Sequence, residues 1–120
     1  NHEPALFNLA RVYQNKKLWE NSNEIFRKFI KIKGPNASVY SEMAWNNLMS
    51  GNIEQAGTLY EKVLSFESNH RAALINLARI NYRLGKNKIS RSYLDRALKL
   101  DLPQSQVNEL GALLKKLSTL

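Results

Sequence analysis

The tetrapeptide Asn8-Leu9-Ala10-Arg11 recurs unchanged as Asn76-Leu77-Ala78-Arg79. The two copies are separated by two 34-residue periods, and Ala44 lies one such period from each of the two alanines. The same 34-residue step joins a series of large apolar residues and a series of basic residues: Phe26, Tyr60 and Leu94; Lys28, Lys62 and Arg96. A fixed period of this length indicates a repeat architecture, in which each repeat is one supersecondary unit.

Each 34-residue unit is predicted to form two helices joined by a short turn. In the third unit, apolar residues recur between positions 74 and 82 with the 3.6-residue period of an amphipathic helix. Gly85 interrupts this helix, and a second apolar stripe then runs to Pro103, which cannot continue a helix. The second unit repeats the plan with Gly51 at its turn, whereas the first unit has Lys17 at that position.

The chain is therefore predicted to be all-α, with seven helices and no strand. With 120 residues, 43% of them hydrophobic and 23% charged, it is expected to form one globular domain. Its predicted parts are three repeats at about 3–36, 37–70 and 71–104 and a capping helix at about 104–118. Because the array begins abruptly at residue 3 with no preceding cap, we expect a fragment of a longer protein, with more repeats or another domain upstream.

The three copies resemble the tetratricopeptide repeat family, whose units place an aromatic or bulky residue, a small residue, a turn glycine and a further aromatic in a fixed order. The second and third units carry these markers at Tyr40, Ala44, Gly51, Ala56 and Tyr60, and at Leu74, Ala78, Gly85, Ser90 and Leu94. The resemblance implies a right-handed α-solenoid. It also implies a non-catalytic scaffold or adaptor that binds a peptide or partner segment in a concave groove.

In this family the groove is lined by the first helix of each unit. Carrying the inward positions over to this chain identifies the candidate binding residues: Phe7, Asn8, Arg11, Trp45, Leu48, Asn76, Arg79, Tyr82 and Arg83. Aromatic, amide and arginine side chains hold extended peptides by stacking and hydrogen bonding. For Trp45 and the two asparagines a packing or capping role is an open alternative, and Trp19 is expected in the core.

Some members of the family bind the C-terminal carboxylate of chaperones through a clamp of two lysines, two asparagines and an arginine. At none of the five matching positions does this chain have the residue type that the clamp has at that position. The five residues are Phe7, Arg11, Glu42, Ala72 and Asn76. The resemblance therefore disfavours a chaperone co-factor of this kind.

The net charge of +8 is unevenly distributed, with +4 in residues 1–34, −3 in 35–68, +6 in 69–102 and +1 in the last 18. Arg11, Arg79 and Arg83 are expected inside the groove, where they favour an acidic partner segment. An RNA-binding module similar to pentatricopeptide arrays is an alternative, which the 34-residue period and the acidic second unit disfavour. Self-assembly through the open ends of the array is a further alternative.

The residue types needed for catalysis or metal binding do not come together in this sequence. Cysteine is absent, which excludes disulfides and thiolate sites, and the five glycines never cluster into a phosphate loop. His2 and His70 are separated by two repeat lengths and are expected in turns between repeats. We therefore expect no catalytic residue, metal or cofactor. Neither a membrane-spanning run nor a leader is recognisable, and the compartment stays open.

Overall fold

A computed structural model describes residues 3–119, apart from the side chain of Glu3. These residues form seven helices and no strand, which confirms the all-α solenoid of helix-turn-helix repeats. The helices are α1 (Glu3–Asn15), α2 (Trp19–Lys33), α3 (Ala37–Met49), α4 (Ile53–Phe66), α5 (Arg71–Arg83), α6 (Asn87–Leu98) and α7 (Gln104–Ser118). They pack in chain order into a body of 50 × 26 × 23 Å. None of the described helices is long and apolar enough to cross a bilayer.

The turn inside each hairpin has the same backbone geometry in all three repeats. Gly51 and Gly85 take positive φ angles of 91° and 76°, and Lys17 at the equivalent place takes a φ of 60°. The next residue in each turn donates its N–H to the carbonyl five positions earlier, at 2.8–2.9 Å. This is the Schellman arrangement, which satisfies carbonyls left without partners at the helix end.

The first helices of the second and third hairpins begin at equivalent caps. The Asn36 side chain accepts a hydrogen bond from the Val39 N–H at 2.9 Å, and His70 Nδ1 accepts one from the Ala73 N–H at 3.2 Å. These bonds satisfy N–H groups that lack partners at a helix start. His70 is therefore a helix cap at a junction between repeats. His2, which precedes it by two repeat lengths, lies outside the described residues.

The core is divided into three clusters in series along the array. The alanines of the repeated position, Ala10, Ala44 and Ala78, are completely buried, and so are Phe26 and Leu94. One cluster joins the first and second hairpins, another joins the second and third, and the last joins the third hairpin to α7. Each hairpin therefore buries its apolar face against its neighbours, as expected of a solenoid.

The two junctions between repeats use different chemistry at the same position. At the first junction the buried Asn46 donates to Ser22 Oγ and Asn23 Oδ1, both at 2.9 Å, and accepts from Gln14 at 2.9 Å. At the second junction this position is Ile80, which is buried and packs against Gly57. One junction is therefore held by a satisfied polar network and the other by apolar packing.

Candidate functional site

A groove runs across the first helices of the three hairpins and encloses about 450 Å³. We call it the central groove. Side chains from α1, α3 and α5 line it, together with single residues from α2 and α4: Arg11, Gln14, Asn15, Trp19, Ser41, Glu42, Trp45, Tyr60, Ala72 and Asn76. Three of the predicted binding residues, Arg11, Trp45 and Asn76, are among them. The 34-residue register places all three on first helices, which is why they meet.

Two tryptophans supply the aromatic surface of the central groove. Trp45 is 43% exposed, although a tryptophan side chain offers a large apolar area that water solvates poorly. Trp19, at the first residue of α2, is half-buried and also lines the groove. The expectation that Trp19 is a core residue is therefore wrong, because its side chain is only partly buried and borders the groove at the start of α2.

The charges in the central groove are paired with each other. Arg11 lies 3.5 Å from the Glu42 carboxylate, and its guanidinium also lies over the Phe7 ring, 5.3 Å from the ring centre. Phe7 itself is half-buried, with its ring edge-to-face against Phe26 and Phe29 at 5.3 and 5.8 Å. Phe7 is therefore the support beneath Arg11 and joins the first core cluster.

Asn76 is held at the base of the central groove by internal hydrogen bonds. Its Nδ2 donates to the Tyr60 hydroxyl at 2.9 Å, and its Oδ1 accepts from Arg79 at 3.4 Å. Burial raises the pKa of Tyr60 to about 12, partly offset by the hydrogen bond from Asn76. Tyr60 is thus neutral at physiological pH, and its hydroxyl oxygen accepts the hydrogen bond from the Asn76 amide. Asn76 is only 7% exposed, so its amide is largely committed to the protein.

The remaining predicted residues lie apart from the central groove. Asn8 is exposed on α1, and Leu48 packs against the core cluster between the second and third hairpins. Arg79, Tyr82 and Arg83 line a different cavity, of about 320 Å³, between α5 and α7. We call this cavity the C-terminal trough. Its other lining residues come from α7: Glu109, Leu110, Ala112, Leu113 and Lys116.

Sequence reasoning missed the contribution of α7, which was expected only to be a capping helix. Glu109 forms an ion pair with Arg79, so α7 adds a charged group next to a predicted binding residue. The signal was present in the sequence, because Glu109 lies three 34-residue steps after Phe7, a position predicted to face the groove, but the repeat frame was not extended into α7. Within residues 3–119, no cluster of three or more His, Cys, Asp or Glu side chains is suited to hold a metal ion.

An all-helical array of three hairpins and a final helix, carrying an open groove, defines a helical-repeat protein. Profiles described as tetratricopeptide repeat match residues 4–32 and residues 72–103. The chain belongs to the tetratricopeptide repeat family. No curated protein matches the sequence.

Solved structures with the same fold cover nearly the whole chain. The tetratricopeptide domain of Arabidopsis OM64 is 19% identical, with a TM-score of 0.82 over 98% of this chain and 94% of that one. The Yersinia enterocolitica secretion chaperone SycD, in complex with a peptide of the translocator YopD, is 12% identical, with a TM-score of 0.88 over 97% and 92%. PcrH from Pseudomonas aeruginosa is 18% identical, with a TM-score of 0.84 over 97% and 91%. These likenesses show the fold.

Proposed function

We propose that this protein is a non-catalytic interaction module that binds an extended segment of a partner protein in the central groove. The observation that carries the proposal is the 43% exposed Trp45, which stands among polar side chains on the groove wall. Tryptophan is one of the residue types enriched at the energetic centres of protein interfaces. An apolar side chain of the partner that covers this ring would remove a large apolar area from water.

The polar lining of the groove suits a peptide backbone. An extended segment presents N–H and C=O groups that lose water on binding and need new partners. Gln14, Asn15 and Ser41 line the groove near Trp45 and carry both donors and acceptors. We assign the direct contacts of the ligand to Trp45, Trp19 and Arg11. Phe7 and Asn76 act in this proposal as supports of the groove.

The charge of the groove favours a protein ligand over a nucleic acid. Glu42 lies in the groove and pairs with Arg11, so the centre is close to neutral and lacks the unpaired cations that a nucleic acid backbone requires. The acidic preference expected from the arginines belongs to the C-terminal end, where Arg79 and Arg83 lie.

Neighbours with this fold are known in peptide complexes. SycD was solved with a peptide of YopD, PcrH with the chaperone-binding region of PopD, and the first tetratricopeptide domain of Spaghetti (RPAP3) with the HSP90 peptide SRMEEVD. These complexes support peptide binding as a use of the scaffold. They do not identify the ligand of this chain, which depends on its own side chains, because a shared fold does not define a shared ligand.

The test is affinity capture from a nuclease-treated lysate of the source organism, with wild type, Trp45→Ala and Ile32→Ala as immobilised baits. Ile32 is 59% exposed on α2 and lines neither cavity, so it controls for loss of an exposed apolar side chain. We expect a partner that wild type and Ile32→Ala retain and that Trp45→Ala loses by about tenfold or more. Circular dichroism checks that the three proteins are equally helical.

A peptide from the captured protein is then titrated against Trp19→Phe, in which Trp45 is the only tryptophan, and the fluorescence of Trp45 is followed. A saturable spectral shift supports binding at the groove. Equal retention of every captured protein on Trp45→Ala and wild type would contradict the proposal. Retention of further copies of this chain alone would replace it with self-association.

A further inference from the structure

The C-terminal trough has an apolar floor built into the third core cluster. Leu110 is 1% exposed, and Tyr82 and Leu113 pack against the same cluster from the side that borders the trough. Because these side chains are anchored by the core, the trough is a preformed cavity. Its volume of about 320 Å³ lies within the range of ligand pockets and offers room for aliphatic side chains.

The rim of the trough is positively charged. Arg79 and Arg83 stand on α5 and Lys116 on α7, against the single carboxylate of Glu109. Arg79 and Arg83 belong to residues 69–102, a segment whose net charge is +6. An apolar floor beneath a cationic rim is complementary to a segment that combines apolar and acidic side chains.

Glu109 already shows how a carboxylate sits at this rim. It pairs with Arg79, and the two side chains are 59% and 46% exposed. An ion pair that is this accessible to water contributes little net free energy, so another carboxylate can replace Glu109 at small cost. Arg79 also donates to Asn76 Oδ1 at 3.4 Å, which helps to hold its guanidinium in place when Glu109 leaves.

We propose that the C-terminal trough is a second binding site, for an acidic protein segment whose apolar side chain enters the trough and whose carboxylate replaces Glu109 on Arg79. This site uses α5 and α7 and does not require Trp45, so it goes beyond the function proposed for the central groove. Glu109 acts as an internal competitor that lowers the affinity for acidic ligands.

The test follows backbone amide NMR signals of the 15N-labelled chain during titration with the capped tetrapeptide Glu-Leu-Leu-Glu. The matched probes are capped Gln-Leu-Leu-Gln and Lys-Leu-Leu-Lys, which keep the two leucines and change only the charge. We expect saturable shifts in α5 and α7 with the acidic peptide, at a Kd of about 1 mM or tighter, and weaker binding of the other two. Equal binding of the three peptides, or shifts confined to α1 and α3, would overturn the proposal.

Charge variants test the replacement of Glu109. Glu109→Gln should bind the acidic peptide about threefold more tightly, because the competitor is removed, and Arg83→Gln about threefold more weakly. Arg91→Gln is the control, since Arg91 is a half-exposed cation on α6 that pairs with Asp95 outside the trough. If Arg91→Gln weakens the binding of the acidic peptide as much as Arg83→Gln does, the effect is one of overall charge and the trough is not the site. If Glu109→Gln binds the acidic peptide no more tightly than wild type does, Glu109 is not a competitor.

Trp45→Ala separates this site from the central groove. It should leave the binding of the tetrapeptide unchanged while it removes the partner captured through the groove. Loss of both activities in Trp45→Ala would show that the trough is not an independent site. Loss of neither would contradict the function proposed for the groove and leave the trough standing.

Discussion

Lys17 occupies a position where the two later repeats have glycine. Its φ of 60° lies in the left-handed region, as do those of Gly51 and Gly85. A residue with a Cβ loses about 1–2 kcal/mol in this conformation, whereas glycine does not. The Schellman bonds of the first turn form nevertheless, so the fold imposes the conformation on Lys17 against its local preference.

Lys17→Gly is expected to increase the free energy of unfolding by about 0.5–1 kcal/mol. The relief of left-handed strain exceeds the added flexibility that glycine gives the unfolded chain. Urea denaturation measures the change. The control is Lys16→Gly, whose backbone is not left-handed and which should destabilise by about 0.5–1 kcal/mol. Equal effects of the two substitutions would contradict the assignment of strain to Lys17.

For the residues of the central groove, the sequence predicts some positions but not their contacts. Arg11, Trp45 and Asn76 could be placed in the groove because the period identifies the inward positions of the first helices. The commitment of the Asn76 amide to Tyr60 could not be predicted, since it requires the hydroxyl of a residue from another helix to arrive within 2.9 Å. Trp19 was misassigned for the same reason, because its exposure depends on what packs around the start of α2.

At the scale of elements, the junction between α2 and α3 depends on a buried amide. Asn46 is completely buried, and its side chain joins Gln14 of α1 to Ser22 and Asn23 of α2. Ser22 in turn donates to the Ala10 carbonyl at 2.9 Å, as Ser90 does to the Ala78 carbonyl at 2.7 Å. A buried network of this kind stabilises only while every member is satisfied.

Asn46→Ala should lower the free energy of unfolding by about 1–3 kcal/mol, because it leaves buried polar groups of its neighbours without partners. The control is Asn21→Ala, an exposed asparagine of α2, where the same change in helix propensity should be neutral or slightly stabilising. Denaturant titration of both variants gives the difference. A loss for Asn46→Ala no greater than that for Asn21→Ala would show that the network adds nothing to the junction.

At the scale of the whole molecule, the outward side of α1 differs from the equivalent sides of α3 and α5. Leu9 and Val12 are 40% and 45% exposed, whereas Met43 and Asn46 in α3, and the corresponding residues of α5, are buried. In the described part of the chain, α1 is therefore packed on one side only. In a linear array, an element with fewer neighbouring contacts opens at lower free energy than the interior ones.

Amide hydrogen exchange of the 120-residue chain should show this gradient. We expect the amides of α1 to exchange at least about tenfold faster than those of α3 and α5, because a difference of about 1.4 kcal/mol in opening free energy suffices for that ratio. Exchange at equal free energies throughout would instead show that the chain unfolds as a single cooperative unit.

The sequence alone was enough to establish the seven helices, the repeat period and the equivalent positions of Ala10, Ala44 and Ala78. These properties depend on local periodicity, and the same pattern occurs in each of the three 34-residue repeats. The tertiary structure alone decided that Arg79, Tyr82 and Arg83 belong with α7, that Phe7 supports Arg11, and that Trp19 reaches the central groove. Such pairings join residues of different helices, and their distances follow from how the hairpins stack, which no single segment encodes.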